Sequence, residues 1–190
     1  AGDIIIRITG DCPLIDPQLV DEAIRKFKTG KVDYLCNTNP PTFPDGLDIE
    51  VFGFAALQRA HNESRTVSDR EHVTPYIRES GHFSTLNVAS GQDFSSLRWT
   101  VDEDQDLEVV RFVIEHFAPN RLFSWKDVLR LYETYSVELN RNSAIARNEG
   151  ATMGTGQKLW KRAKAVIPGG NMLLSKRAEM FLPDHWPAYF

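Results

Sequence analysis

Short β-branched runs alternate along this chain with segments whose apolar residues recur at helical spacing, and that alternation restricts the fold to a layered α/β domain. Ile4, Ile5, Ile6 and Ile8 form the first run, interrupted only by Arg7. So nearly continuous a run reads as a strand covered on both faces in a parallel sheet. Asp16 then caps a helix with Pro17 at its first position, Leu19, Val20, Ala23, Ile24 and Phe27 on one face, and Gly30 at its end. Val32 to Cys36 and Asp48 to Phe52 read as strands on either side of the loop NTNPPTFPDG, whose prolines and Asp-Gly step make it an ordered excursion. Phe54 to His61 is helical. SDRE at 68–71 has the pattern of a capping box opening another helix, bent or interrupted at Pro75. Phe83 to Ala89 and Leu97 to Val101 read as two more strands. Leu107, Val110, Ile114 and Phe117 then repeat at helical spacing from Asp104 onward, and Ser124 with Asp127 starts a last helix through Tyr135.

Composition narrows the functional classes. A 190-residue chain with 42% hydrophobic residues has enough apolar material for a real core. Its 22 basic residues are outnumbered by 26 acids, with no long basic run, so nothing marks a nucleic-acid footprint. No apolar run reaches membrane length and no signal peptide is visible. Cys12 and Cys36 are isolated thiols without metal-ligand spacing, so the expected setting is a reducing cytoplasm with no disulfide. Near residue 148 the composition changes: residues 1–148 read as the folded domain and the Gly-rich stretch 149–156 as a linker. Residues 157–190 form a tail in which Leu159, Trp160, Ala163 and Val166 make a short helix, stopped by Pro168, Gly169 and Gly170. That tail is too short to bury a core of its own. AGD enters a core-like strand at once and WPAYF ends on apolar residues, so the chain reads as an internal fragment.

The residues that carry chemistry sit where apolar runs end. Asp11 follows the first run, with Gly10 before it and Pro13 after it, so its carboxylate is held in a turn ahead of the next helix. Open α/β sheets bind ligands in the crevice beyond the carboxyl ends of their strands. Asp102 stands in the equivalent place after Leu97 to Val101. If those strands are neighbours, two carboxylates converge, and Mg²⁺ typically takes only one or two protein carboxylates and fills its other positions with water and phosphate oxygens. The plainer alternatives are that Asp11 only orders its turn and that Asp102 caps the following helix. Glu103, Asp104 and Asp106 read as first-turn acids favoured by the helix dipole.

The blocks GDCPLIDPQLVDEAI, NTNPPTFPDGLDIEVF, SDREHVTPYI and LRWTVDEDQDLEVVRFVIEHF occur in that order. Together they resemble the cytidylyltransferase-like proteins of the spore coat polysaccharide biosynthesis protein F type, relatives of the CMP-sialic acid and CMP-Kdo synthetases. The resemblance covers residues 1 to about 140 and implies a partial Rossmann-like nucleotide-diphospho-sugar transferase sheet with helices on both faces. It also implies that Asp11 and Asp102 bind a catalytic Mg²⁺, with CTP and a sugar or sugar acid as substrates. On that reading the PDGLDIE loop lines the sugar pocket through Asp45 and Glu50, for which turn formation and strand-edge solvation are the alternatives. Arg70 and His72 become candidate substrate contacts, while Glu71 is also the capping-box acid. The Gly-rich basic loop of the form R-x-x-S-x-R-L-P-G-K, with which the family opens, has no counterpart in this chain.

The tail, GQKLWKRAKAVIPGGNMLLSKRAEMFLPDHWPAYF, resembles instead the opening of a class III aminotransferase of the glutamate-1-semialdehyde aminomutase type. That likeness implies a short helical C-terminal extension leading into a pyridoxal-phosphate module whose cofactor lysine lies outside this chain. Three functions remain open: a nucleotidylyltransferase piece joined to an aminotransferase, a sugar-nucleotide binding or assembly module without catalysis, and an aminotransferase as the defining activity. A homo-oligomer is compatible with each.

Overall fold

The computed structural model describes residues 3–66, 69 and 74–147. The chain falls into two compact units, Ala1–Ala144 and Ile145–Phe190, and nearly all described residues belong to the first. The proposed linker, the aminotransferase-like tail, Arg70, Glu71 and His72 lie outside the described residues.

In chain order the elements are β1 (Ile4–Arg7), α1 (Pro17–Gly30), β2 (Tyr34–Cys36), β3 (Glu50–Gly53), α2 (Phe54–Glu63), α3 (Pro75–Glu79), β4 (Thr85–Asn87), α4 (Asp104–Phe117) and α5 (Trp125–Leu139). The strands form one sheet in the order β1-β3-β2-β4. Strand β3 runs antiparallel to both neighbours, with Arg7 of β1 and Cys36 of β2 each opposite Glu50, whereas β2 and β4 are parallel. Successive residues of a strand face opposite sides, and here they feed two cores. Leu35 and Val51 pack with Leu19 and Ala23 of α1, Val109, Val110 and Val113 of α4, and Val128, Leu131 and Leu139 of α5. Tyr34, Cys36 and Phe52 pack with Ala56 and Ala60 of α2 and Ile77 of α3. Helices therefore cover both faces, as an α/β domain requires.

Local signals placed the helices well. Asp16 caps α1 ahead of Pro17, its Oδ1 accepting from the backbone N–H groups of Gln18 at 2.7 Å and Leu19 at 3.4 Å. The same carboxylate reaches across the fold, Oδ2 accepting from Trp125 N at 2.9 Å at the start of α5. Ser124 and Asp127 form the expected capping box there. Helix α5 runs past Tyr135 to Leu139 through a non-helical residue at Tyr135 (φ −120°, ψ 37°). Pro75 opens α3, at the first-turn position where its missing N–H costs nothing, and the helix start expected at SDRE falls mostly outside the described residues.

Two strand expectations are corrected. The first run is not doubly covered in a parallel sheet: β1 pairs antiparallel with β3 alone among the described residues, and Ile6 and Ile8 are each 40% exposed. The cause is the loop from Asn37 to Ile49, which returns β3 between β1 and β2. Leu97 to Val101 is not a strand either. It is pinned between two turns, by Asp45 N to Leu97 O at 2.9 Å and Trp99 N to Asp45 O at 2.6 Å on one side, and by Val101 N to Asp11 O at 2.9 Å on the other.

The returning loop depends on one side chain. Asn37, 3% exposed, donates through Nδ2 to Leu47 O at 2.7 Å and accepts at Oδ1 from Ile49 N at 2.9 Å. Asn37→Ala would strip partners from two buried backbone groups, at a cost of about 1–3 kcal/mol for each. The expected result is a lower urea midpoint with a cooperative transition; an unchanged midpoint would show that other contacts hold the loop.

Candidate active site

Beyond β1 the chain turns through Thr9, Gly10 and Asp11 into Cys12, whose thiol is buried. Burial, reinforced by the Asp11 and Asp48 charges and opposed by a Thr9 hydrogen bond, pushes that thiol up to about 11. Cys12 is therefore neutral at physiological pH and no nucleophile. Its S–H, 3.6 Å from Asp11 Oδ1, is the only side-chain donor to the Asp11 carboxylate among the described residues. The Asp11 carbonyl accepts from Val101 N at 2.9 Å and from Thr100 Oγ1 at 3.1 Å. Asp11 is consequently bonded through its backbone to the two residues that precede Asp102.

Arg98 organises the second half of the site. Its side chain is 5% exposed, and its Nε and Nη2 grip Asp106 Oδ1 and Oδ2 at 2.9 Å each. Nη1 donates to Asp45 Oδ2 at 3.0 Å and Nη2 also to Asp102 Oδ2 at 2.8 Å. Asp106 receives further bonds from Asn142 Nδ2 at 2.8 Å and from the N–H groups of Asp102 and Glu103 at 3.0 Å. Burial opposes ionisation of Asp106, yet these donors outweigh it and hold its carboxyl below the ordinary aspartate value. Gly46, at φ +99°, lies so close to the same segment that a Cβ there would stand 2.5 Å from Trp99 C and Thr100 N.

These contacts correct the reading of the acidic run. Asp106 is a fully buried partner of Arg98 and not just a first-turn acid. The helix cap is Glu103, in a capping box with Asp106, so Asp102 is not the cap of α4. Asp102 keeps a side chain 52% exposed. Asp45 joins the site through Arg98, whereas Glu50 is held in a separate network. Strand-edge solvation fails for Glu50: it is 6% exposed, ion-paired with Arg7, and accepts from Tyr34 OH at 2.5 Å and Thr74 Oγ1 at 2.6 Å. Burial and the Glu50 charge push the Tyr34 phenol far above its usual range, so it stays a donor.

The family model described as cytidylyltransferase matches residues 1–117. This chain belongs to the cytidylyltransferase family. Among solved structures, a cytidylyltransferase from Leptospira borgpetersenii serovar Hardjo-bovis shares 31% identity at a TM-score of 0.69, over 72% of this chain and 58% of that one. An uncharacterized protein of Methanocaldococcus jannaschii is 32% identical over 120 residues, covering 62% of this chain and 48% of its own length. Spore coat polysaccharide biosynthesis protein SpsF of Bacillus subtilis is 26% identical over 157 residues, covering 78% of this chain and 59% of its own length. The chain thus spans about half the length of the curated relatives it matches.

Within this member of the cytidylyltransferase family, no group of three or more His, Cys, Asp or Glu residues gathers to hold a metal among the described residues. The candidate set is two carboxylates, Asp11 and Asp102, each with an oxygen that accepts no bond from the described protein groups. That set fits a hydrated Mg²⁺, which needs few protein ligands, and not a closed protein cage. Sequence reasoning missed Arg98 and Asn142. The signal for Arg98 was a lone charge inside the apolar stretch LRWTV, which had to find buried acids; Asn142 gave none.

Proposed function

We propose that this chain is part of an enzyme that transfers CMP from CTP to a hydroxyl of a sugar or sugar acid, for surface polysaccharide synthesis in the cytoplasm. The sugar hydroxyl oxygen forms a bond to the α-phosphorus and gives up its proton to solvent, the bond from the α-phosphorus to the oxygen bridging to the β-phosphate breaks, and pyrophosphate leaves with that electron pair. The observation that supports the reading is the Asp11 carbonyl accepting from Thr100 and Val101, which joins the Asp11 turn to the segment just before Asp102 in a chain of the cytidylyltransferase family.

Asp11 and Asp102 would hold Mg²⁺, which when bound supplies charge neutralisation on the phosphate oxygens. The chain's own contribution is positional: the turn at Gly10 and Cys12 presents the Asp11 carboxylate, and Arg98 holds one oxygen of Asp102. Asp45 borders the same region, and Glu50, Arg70 and His72 are proposed as further substrate contacts. The name of the Bacillus subtilis relative supports a polysaccharide precursor as product. No helix among the described residues is long and apolar enough to cross a membrane. That residues 157–190 lead into an aminotransferase rests on their sequence pattern alone, and a lysine-bound pyridoxal phosphate absorbance in the purified parent protein would test it.

Asp11→Asn and Asp102→Asn each remove charge and no volume. In the full-length parent protein each is expected to abolish most CTP-dependent pyrophosphate release at an unchanged melting temperature. Wild-type rates in both variants would refute the assignment.

A further inference from the structure

We infer that Arg98 is a positioning residue: it fixes the Asp102 carboxylate for the cation and ties it to Asp45 of the PDG turn, an inference that rests on reading Asp102 as a cation ligand. The Arg98 guanidinium is held by a two-bond fork to Asp106, through Nε and Nη2. A bidentate arginine–carboxylate pair sets orientation as well as energy. Asp106 is itself fully buried and takes its other bonds from Asn142 and from the backbone at Asp102 and Glu103. The plane of the fork therefore has no room to turn.

Two donors project from that plane. Nη1 meets Asp45 Oδ2, and the second N–H of Nη2 meets Asp102 Oδ2. Asp102 Oδ1 accepts no bond among the described residues, so one oxygen of a half-exposed carboxylate is turned outward from an anchored partner. One guanidinium faces three carboxylates, Asp45, Asp102 and Asp106, which leaves two negative charges in excess. Arg98 thus orients the acidic site without neutralising it. Groups that orient a metal ligand typically matter 10–100-fold, or about that, in metal affinity.

The distinguishing change is Arg98→Lys, which keeps the charge and loses the planar fork. Mn²⁺ is titrated into the protein and the free ion followed by electron paramagnetic resonance, for wild type, Asp102→Asn, Arg98→Lys and Asn142→Ala. Asp102→Asn is expected to lose the bound ion. Arg98→Lys is expected to bind it about 10–100-fold more weakly while still melting cooperatively. Asn142→Ala, which loosens Asp106 with the Arg98 side chain intact, is expected to weaken binding in the same direction by a smaller factor. Wild-type affinity in Arg98→Lys alongside loss in Asp102→Asn overturns the inference and leaves the metal reading standing. Unchanged affinity in Asp102→Asn, or no binding by wild type, overturns the metal reading and the inference with it. Should Arg98→Lys fail to fold, Asn142→Ala decides, and wild-type affinity there overturns the inference.

Discussion

Gly46→Ala is expected to destabilise the first unit by roughly 2–6 kcal/mol, combining about 1–3 for a left-handed backbone position and about 1–3 for overpacking. Gly46 has φ +99°, and a methyl group there would lie 2.5 Å from main-chain atoms of Trp99 and Thr100. Main chain cannot step aside as the end of a side chain can. Relief would require moving residues 98–101, the segment pinned on one side by Asp45 and on the other by Asp11. The variant should therefore show a large fall in urea midpoint, and amide exchange should quicken first around Trp99 and Val101. A loss below about 1 kcal/mol would mean that the PDG turn yields more readily than its bonds indicate.

The second large effect is expected from Arg98→Met, which keeps much of the volume and removes the charge. Asp106 and Asp45 would then be buried without their cation, at a cost of about 3–5 kcal/mol. The pH dependence identifies the cause. In the wild type the Asp106 carboxyl is held below its ordinary 3.8. Its contribution is thus complete above that value and is lost as pH falls through the lower folded-state value. Without Arg98, burial dominates and Asp106 favours the protonated form. The stability difference between wild type and Arg98→Met should be largest near neutrality and shrink in acid. Urea midpoints across that range test this; a difference that is constant or that widens in acid would rule the explanation out.

Sequence legibility divides along the same line as the energetics. Helix starts were readable because the cap and its donors lie within three residues of one another, as at Asp16 with Gln18 and Leu19, or at Ser124 with Asp127. Strand existence was readable from the apolar runs at Ile4–Arg7 and Tyr34–Cys36, though not at Leu97 to Val101, which forms no strand. Strand partners were not, because the loop that slots β3 between β1 and β2 is clamped by Asn37 through two backbone groups ten and twelve residues away. Asp11 and Asp102 stood out because each follows an apolar run. The hold of Arg98 on Asp102 did not, since it is decided by Asp45, Asp106 and Asn142, which no local window contains together. The burial of Glu50 was not legible for the same reason: Arg7, Tyr34 and Thr74 reach it from three separate parts of the chain.

The shared cap at Asp16 bears on how the chain is made. One oxygen serves Gln18 and Leu19, which leave the ribosome almost together with Asp16; the other waits for Trp125, 109 residues later. At about 5–20 residues per second that interval is on the order of 5–20 s, whereas a helix forms in about a microsecond. The nascent chain thus holds a half-satisfied, buried-to-be carboxylate until Trp125 is made, and that residue's arrival lets the start of the last helix lock onto the start of the first.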